Sequence, residues 1–355
     1  MTRRLVGSII AILLLCGASG FALQDKISPL SDYQYKKDYA QYEEIKKEAD
    51  VAKRADLLIG FVKEHPISRI LLYVATDYQA AINPQLEKKD WAKVISMADA
   101  LLELLPTVEK VKAEEIPVGE AEFLKDQLSP SVLLMQRTKM AAHYGAGDLP
   151  KAAEMAETIY AAAPDAAMLQ TMAAIYLAME NYDKYLECGQ KILADAPIDQ
   201  PLGYTTALQM ADVQLRKQDV PAATALFAKI MAVYGDKVPP NMQEAQWNAT
   251  RAIAFGLMGA EAYQKKDYPA ALETYQKVVR FDPKRDDAWY YIGMSKWQTE
   301  GQNAAMEPFA KCVVLEKSMA PRAKQYLEQI YQGSHSGSLD GIEEVLAKAK
   351  TDLGI

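Results

Sequence analysis

Between residues 252 and 319 the chain matches itself at a fixed offset. Phe255 and Trp289, Met258 and Ile292, Gly259 and Gly293, Ala271 and Ala305, and Tyr275 and Phe309 all stand the same distance apart (289 − 255 = 34). A constant period of this length requires stacked units, each burying its apolar face against its neighbours, in place of a single globular core. Such a chain offers an extended binding surface more readily than a catalytic pocket.

Composition fits helical units. Half of the 355 residues are hydrophobic. Ala, Leu, Glu, Lys and Gln outweigh Val, Ile and aromatic residues, which favours helix over strand. Formal net charge is −7 with no basic block. The chain therefore lacks the clustered Lys and Arg that bind phosphate backbones, and no nucleic-acid partner is expected.

The order of residue types within each unit is informative. In the first sharp unit a large aromatic (Phe255) is followed by Gly259, then Ala271, Tyr275 and Pro283. In the second the same places hold Trp289, Gly293, Ala305 and Phe309, with Lys317 where Pro is expected. Gly259 and Ala271 are small so that two helices can cross closely, Phe255 and Tyr275 fill the space between units, and Pro283 stops the second helix. This pattern resembles the tetratricopeptide repeat, a helix–turn–helix unit. The resemblance implies an all-α, right-handed α-solenoid and a role in binding proteins or peptides; it implies no activity.

Upstream units are recognisable from the start of their second helix. Lys265-Lys-Asp-Tyr-Pro-Ala-Ala271 recurs as Lys217-Gln-Asp-Val-Pro-Ala-Ala223 and as Gly145-Ala-Gly-Asp-Leu-Pro-Lys-Ala152. Glu180-Asn181-Tyr182 and Lys88-Lys89-Asp90-Trp91 begin two more, and Leu57, Leu58 and Phe61 lead to Pro66. The total is about seven units. At Tyr185 a bulky residue replaces the small one, so packing there must differ. Spacing is uneven, with extra residues at 195–203 and 235–246. A larger charged insertion at 107–129 reads as a spacer or as a modifier of binding. The resulting division is a signal-like segment at 1–22, divergent helices at 23–106, the insertion at 107–129, central units at 130–237, well-formed units at 238–319, and a cap at 320–355. The cap comprises a helix over the last unit, a Gly/Ser linker at 333–338, and an amphipathic helix. That last helix has Asp340 as the expected N-cap and an apolar stripe of Ile342, Val345, Leu346, Ala349 and Leu353. Ser31–Lys47, rich in Tyr, is expected to be the first helix of the array.

The first residues carry Arg3-Arg4, an apolar run from Leu5 to Leu15, and small residues ending at Ala22. They are expected to direct export, with cleavage after Ala22. An uncleaved inner-membrane anchor and a lipoprotein at Cys16 are the alternatives. Cys188 and Cys312 fall in different units and read as small buried hydrophobes.

A search for chemistry yields none. His65, His143 and His335 are not at ligand spacing. Gly333-Ser-His-Ser-Gly337 places His335 where a hydrolase elbow needs Ser. No phosphate-cradling loop is present, and no cofactor or metal is implied. In tetratricopeptide repeats the first helix of each unit lines an inner groove. Carried onto this chain by the resemblance, the groove residues are Ile253, Tyr263, Gln264, Asp287, Tyr290, Met294, Trp297 and Gln298. The unit before contributes Thr205, Leu208, Asp212, Leu215 and Arg216. The carboxylate-clamping Lys and Asn of the chaperone-binding subfamily are replaced here by Gly256, Ala260, Tyr290 and Met294. The expected function is a non-enzymatic scaffold, exported to the periplasm or beyond, that binds another protein or peptide. The alternative is a membrane-anchored component of an envelope assembly or secretion complex. Self-association through exposed array ends is a further expectation.

Overall fold

A computed structural model describes residues 28–114, 116 and 119–355. The signal-like segment 1–22 lies outside the described residues. The described residues are helical, with no strand among them, as the composition and the repeat require. Helices follow in order as α1 (Asp32–Lys46), α2 (Val51–Glu64), α3 (Leu71–Glu87), α4 (Trp91–Leu102), α5 (Val108–Ala113) and α6 (Glu120–Glu122). A π-helical turn (Phe123–Leu128) leads into α7 (Ser129–Gly145). Then come α8 (Leu149–Ala162), α9 (Ala166–Ala178), α10 (Tyr182–Asp195), α11 (Pro201–Arg216), α12 (Val220–Tyr234), α13 (Glu244–Gln264) and α14 (Tyr268–Phe281). The chain closes with α15 (Asp286–Glu300), α16 (Met306–Val314), α17 (Ala320–Ser334) and α18 (Ile342–Leu353). The described residues thus hold seven helix pairs: α1–α2, α3–α4, and α7–α8 through α15–α16. They divide into two compact units, one reaching to Met168 and one spanning Leu169–Ile355.

One local device makes five of these pairs. Lys89, Gly147, Glu180, Gln218 and Lys266 adopt left-handed backbone, with φ of 58, 81, 56, 62 and 60°. Each is followed by an N-cap residue: Asp90, Asp148, Asn181, Asp219 or Asp267. The cap side chain accepts from the backbone N–H three residues on. The cap N–H reaches back to the carbonyl five residues earlier, as in Asp267 N to Ala262 O at 2.9 Å and Asp219 N to Gln214 O at 2.8 Å. The turn therefore satisfies the last carbonyls of one helix and the first N–H groups of the next. Pro150, Pro221 and Pro269 follow within the first turn, where a missing N–H costs nothing. At the other end of the pairs the residue before proline leaves the helical region: His65, Ala163, Ala196 and Asp282 have ψ of 61, 81, 94 and 86°.

The small residues sit where the rings need room. A Cβ on Gly259 would lie 3.0 Å from the Tyr275 ring, and one on Gly293 would lie 2.6 Å from Phe309. Tyr275, Phe309, Ala271 and Ala305 are all buried. Lys317, in place of proline, donates from Nζ to Lys284 O at 2.5 Å, and Asp286 accepts from Met319 N at 2.8 Å. A side-chain tie thus substitutes for the rigid turn.

Three regions differ from expectation. The 107–129 insertion is no solvated spacer: Val111, Ile116, Phe123 and Leu128 are buried in the core of the N-terminal unit. Residues 235–246 also contribute to packing. They lead into a 21-residue α13 whose Trp247 is wholly buried against Tyr234, with ring centroids 6.2 Å apart. At the C-terminus α17 runs through Gly333 and Ser334, shortening the linker. The N-cap of α18 is Gly341, at φ 88°, rather than Asp340. The Tyr331 hydroxyl donates to Asp340 O at 2.8 Å, which holds that turn in a shape only glycine adopts without strain. The α18 stripe does fold back: Ala349 is buried and Ile342, Val345, Leu346 and Leu353 pack with α15–α17 residues.

The recurring turn gives a test. Asp267→Ala is expected to lower unfolding free energy by about 1 kcal/mol through loss of the cap. Lys266→Gly relieves left-handed strain of about 1–2 kcal/mol against a chain-entropy cost of about 0.5–1 kcal/mol. It should therefore raise the urea midpoint, and a lowered midpoint refutes the strain account.

Candidate binding surface

The first helices of the pairs in the C-terminal unit are α9, α11, α13 and α15, and the expected groove residues lie on the last three. They meet different fates. Ile253 is 46% exposed, and Gln264 and Gln298 are also exposed. Asp287 is half-buried and held by a two-pronged ion pair, Arg285 Nε at 2.8 Å and Nη2 at 2.6 Å. Burial pushes its pKa up, but the Arg285 hydrogen bonds and charge outweigh that and leave it below the usual carboxylate range. It is engaged inside the protein.

The aromatic members form a ladder. Tyr263 packs edge-on to Tyr268 (5.4 Å) and Tyr291 (4.9 Å). Tyr291 stacks on Tyr275 at 5.1 Å. Tyr290 meets Phe309 and Tyr326, and Trp297 stands edge-on to Tyr326 at 5.5 Å. Tyr290 is only 7% exposed. Its phenol is pushed up to about 12, chiefly by burial and secondarily by Tyr326. Met294 joins the same cluster. The rings of Tyr290 and Trp297, with Met294, are thus spent on holding α17 against α15, through Tyr326 on α17. Such ring pairs contribute about 0.5–1.5 kcal/mol each beyond area burial.

An open cleft lies elsewhere in the C-terminal unit, among α9, α10 and α11. It has a volume of ≈ 310 Å³ and is lined by Gln170, Ala173, Ala174, Tyr185, Gly189 and Thr205 among others. Its origin lies in the departure at Tyr185. Helices α10 and α14 start at equivalent turns (268 − 182 = 86), so Tyr185 takes the place of Ala271, and Gly189 that of Tyr275. The large and small residues are exchanged. Ala173 stands where Gly259 does, so two small residues now face each other with no ring between them. Met210 fills part of the gap: a Cβ on Gly189 would lie 2.6 Å from its sulfur. The remainder is the cleft. Tyr185 is buried, with its hydroxyl donating to Gln209 Oε1 at 3.3 Å. Burial and then the Asp212 charge push its pKa up to about 12. Of the groove residues expected on α11, Thr205 lines this cleft, while Asp212 pairs with Arg216 at 2.9 Å. Gln170, Ala173 and Ala174 were not expected; their signal was the exchanged pair at 185 and 189.

The nearest approach to a catalytic arrangement is in the N-terminal unit. Buried Asp38 accepts from Ser68 Oγ at 2.5 Å and Gln34 Nε2 at 2.6 Å, with His65 Nδ1 3.6 Å away. Ser68 and His65 both address the carboxylate and not each other, so they form no serine–histidine relay. The cluster ties α1 to the link between α2 and α3. Among the described residues no group of three His, Cys, Asp or Glu side chains is placed to hold a metal ion. Cys312 is buried, which pushes its thiol up to about 12 and keeps it unreactive.

No family model matches the chain. Over 152 residues, 42% of its length, it is 23% identical to Superkiller protein 3 of Saccharomyces cerevisiae, and it spans about a tenth of that relative's length (10%). Among solved structures it is similar to MamA, with 17% identity and a TM-score of 0.35 over 50% of this chain and 92% of that one. It is similar to a tetratricopeptide repeat protein from Parabacteroides merdae, with 14% identity and a TM-score of 0.32 over 76% and 98%. It is also similar to the TPR2AB domain of yeast Sti1 in complex with pHSP90, with 14% identity and a TM-score of 0.31 over 90% and 100%. The assignment to tetratricopeptide-like helix pairs rests on the recurring turn and on the glycine–ring contacts at 259–275 and 293–309.

The ladder makes a prediction about stability. Tyr290→Ala should cost about 3–5 kcal/mol and shift the thermal unfolding of the full chain, whereas Gln298→Ala should leave it within about 0.5 kcal/mol. Equal effects in calorimetry would show that Tyr290 does not hold α17.

Proposed function

We propose that this chain is a non-enzymatic scaffold that binds a protein or peptide partner, and that the α9–α10–α11 cleft takes one apolar side chain of that partner. The observation that carries the reading is the exchange of Tyr185 and Gly189. It leaves an open space bordered by the small side chains Ala173 and Ala174, where α13–α14 and α15–α16 hold a ring. Gln170, Gln209 and Thr205 around the rim supply neutral donors and acceptors that fix register, and the apolar walls supply affinity. A volume of ≈ 310 Å³ suits an aliphatic or aromatic anchor. The exposed Ile253, Gln264 and Gln298 offer a second, shallower face on α13 and α15.

Ala174 is exposed, so Ala174→Trp fills the cleft without disturbing the core. Partner capture by cross-linking should be lost in Ala174→Trp while circular dichroism stays helical. Capture that persists in Ala174→Trp but fails in Ile253→Asp would move the site to the α13–α15 face.

The reading includes export. Arg3-Arg4, the Leu5–Leu15 run and the small residues before Leu23 support a signal segment cleaved after Ala22. No described helix is long and apolar enough to cross a membrane. The alternative is a membrane-anchored part of an envelope assembly or secretion complex. Mass spectrometry of the mature protein is expected to find Leu23 as the first residue. An intact Met1 in the membrane fraction would favour the anchored alternative.

A further inference from the structure

A second recess in the C-terminal unit has different chemistry. It lies at the end of α12 against α13 and α14, has a volume of ≈ 220 Å³, and is lined by Gly235, Asp236, Phe255, Lys277, Arg280 and Phe281 with Met231. Its floor is a stacked pair, Phe255 on Phe281, with centroids 6.1 Å apart and planes 12° apart. Cations crowd these two rings. Lys277 Nζ stands 5.6 Å from the Phe255 centroid, and Arg280 Cζ is 5.5 Å from that of Phe281. Arg251 Cζ is 4.7 Å from Phe281 and 5.4 Å from Trp247.

Arg251 is the unusual member. It is 3% exposed. Its Nε donates to Gly235 O at 2.9 Å and its Nη1 to Asn248 Oδ1 at 2.8 Å. Its Nη2 is buried and has no hydrogen-bond partner among the described residues, and none of its bonds goes to a carboxylate. Burial pulls its pKa down, opposed by the charges of Asp236 and Glu244 and aided by that of Arg280. A guanidinium taken this far out of water without an ion pair is costly, and a nearby anion lowers the cost. The carboxylates around the recess are otherwise engaged or at a distance. Glu273 pairs with Lys277 at 2.8 Å. Asp236 lies 3.8 Å from Arg280, and both side chains are largely exposed.

We infer that this recess binds a carboxylate carried by an Asp or Glu side chain of the partner peptide, received by Lys277 and Arg280 above the Phe255–Phe281 floor with the buried Arg251 behind. The aromatic floor takes the methylene stem, and the cations take the charged end. A phosphate dianion fits less well, because Asp236 and Glu273 repel its second charge. The inference deepens the scaffold reading by naming a chemical requirement of the partner at a place separate from the α9–α11 cleft.

Calorimetric titration of the full chain with acetyl-tetraglutamate amide, acetyl-tetraglutamine amide and inorganic phosphate tests it. Tetraglutamate should bind and tetraglutamine should not, and added salt should weaken binding. Lys277→Gln with Arg280→Gln, both surface changes, should reduce affinity about tenfold or more. Asp236→Asn should strengthen it by removing the competing charge. Ala174→Trp should leave tetraglutamate binding unchanged, which separates this site from the cleft. Absence of tetraglutamate binding, binding unaffected by the Lys277/Arg280 double change, or binding of phosphate alone would each overturn the inference. In each case the Ala174→Trp capture result still decides the scaffold reading.

Discussion

The left-handed residue followed by an Asp or Asn cap is the interaction on which the array depends. Each of the five copies closes one helix and opens the next within three residues. It links the two helices of the pair through local hydrogen bonds alone. Four of the five place a non-glycine residue at positive φ, a strain of about 1–2 kcal/mol per site. Two satisfied helix ends and the packing they enable offset it. The α15–α16 turn departs from this scheme: Gly301 takes φ 93° and a 3-10 segment, Gln302–Ala305, precedes α16. There the pair relies on the Gly293–Phe309 contact and on the ties from Lys317 and Asp286 that anchor the start of α17.

Once the turn sets the pair, the arrangement of large and small residues decides what the pair can do. In α13–α14 and α15–α16 a glycine on the first helix meets a ring on the second, and the interface is filled. In α9–α10 the ring has moved four residues toward the N-terminus, one turn of helix, and the interface is left open. The same total of large and small residues therefore yields a core in one pair and a recess in another. Gly203 shows how tight the neighbouring link is, since a Cβ there would lie 1.9 Å from Pro197 O. The chain tolerates a void beside a backbone contact that admits no side chain at all.

The elements that were legible in the sequence are those specified locally. The run Lys265-Lys-Asp-Tyr-Pro-Ala-Ala carries its own turn, cap and first-turn proline, so its copies could be found without any long-range information. The 34-residue offset located the sharpest pairs for the same reason. What was not legible depends on contacts distant in sequence. The burial of Val111, Ile116 and Phe123 is set by the core of the N-terminal unit, not by their charged neighbours. The N-cap at Gly341 follows from a hydroxyl ten residues earlier, on Tyr331. Asp38, Ser68 and His65 come together only because α1 lies across the link between α2 and α3. The candidate groove was partly legible: helix identity and position were readable, but the competing claim of Tyr326 on Tyr290 and Trp297 was not.

The relation between repeat signature and binding surface runs opposite to first intuition. A sharp signature means that each ring has its matching small residue and each interface is complete. Complete interfaces leave Tyr290, Met294 and Trp297 bonded to their own neighbours, and α17 then closes that end with Tyr326. Space for a partner arises where the signature breaks. One break is at Tyr185 and Gly189, where ring and glycine trade places. Another is at the long link before α13, where Gly235 and Asp236 border the recess beside the Phe255–Phe281 pair. Departures from the period thus point to function more directly than the period itself, because a perfect repeat specifies only its own packing.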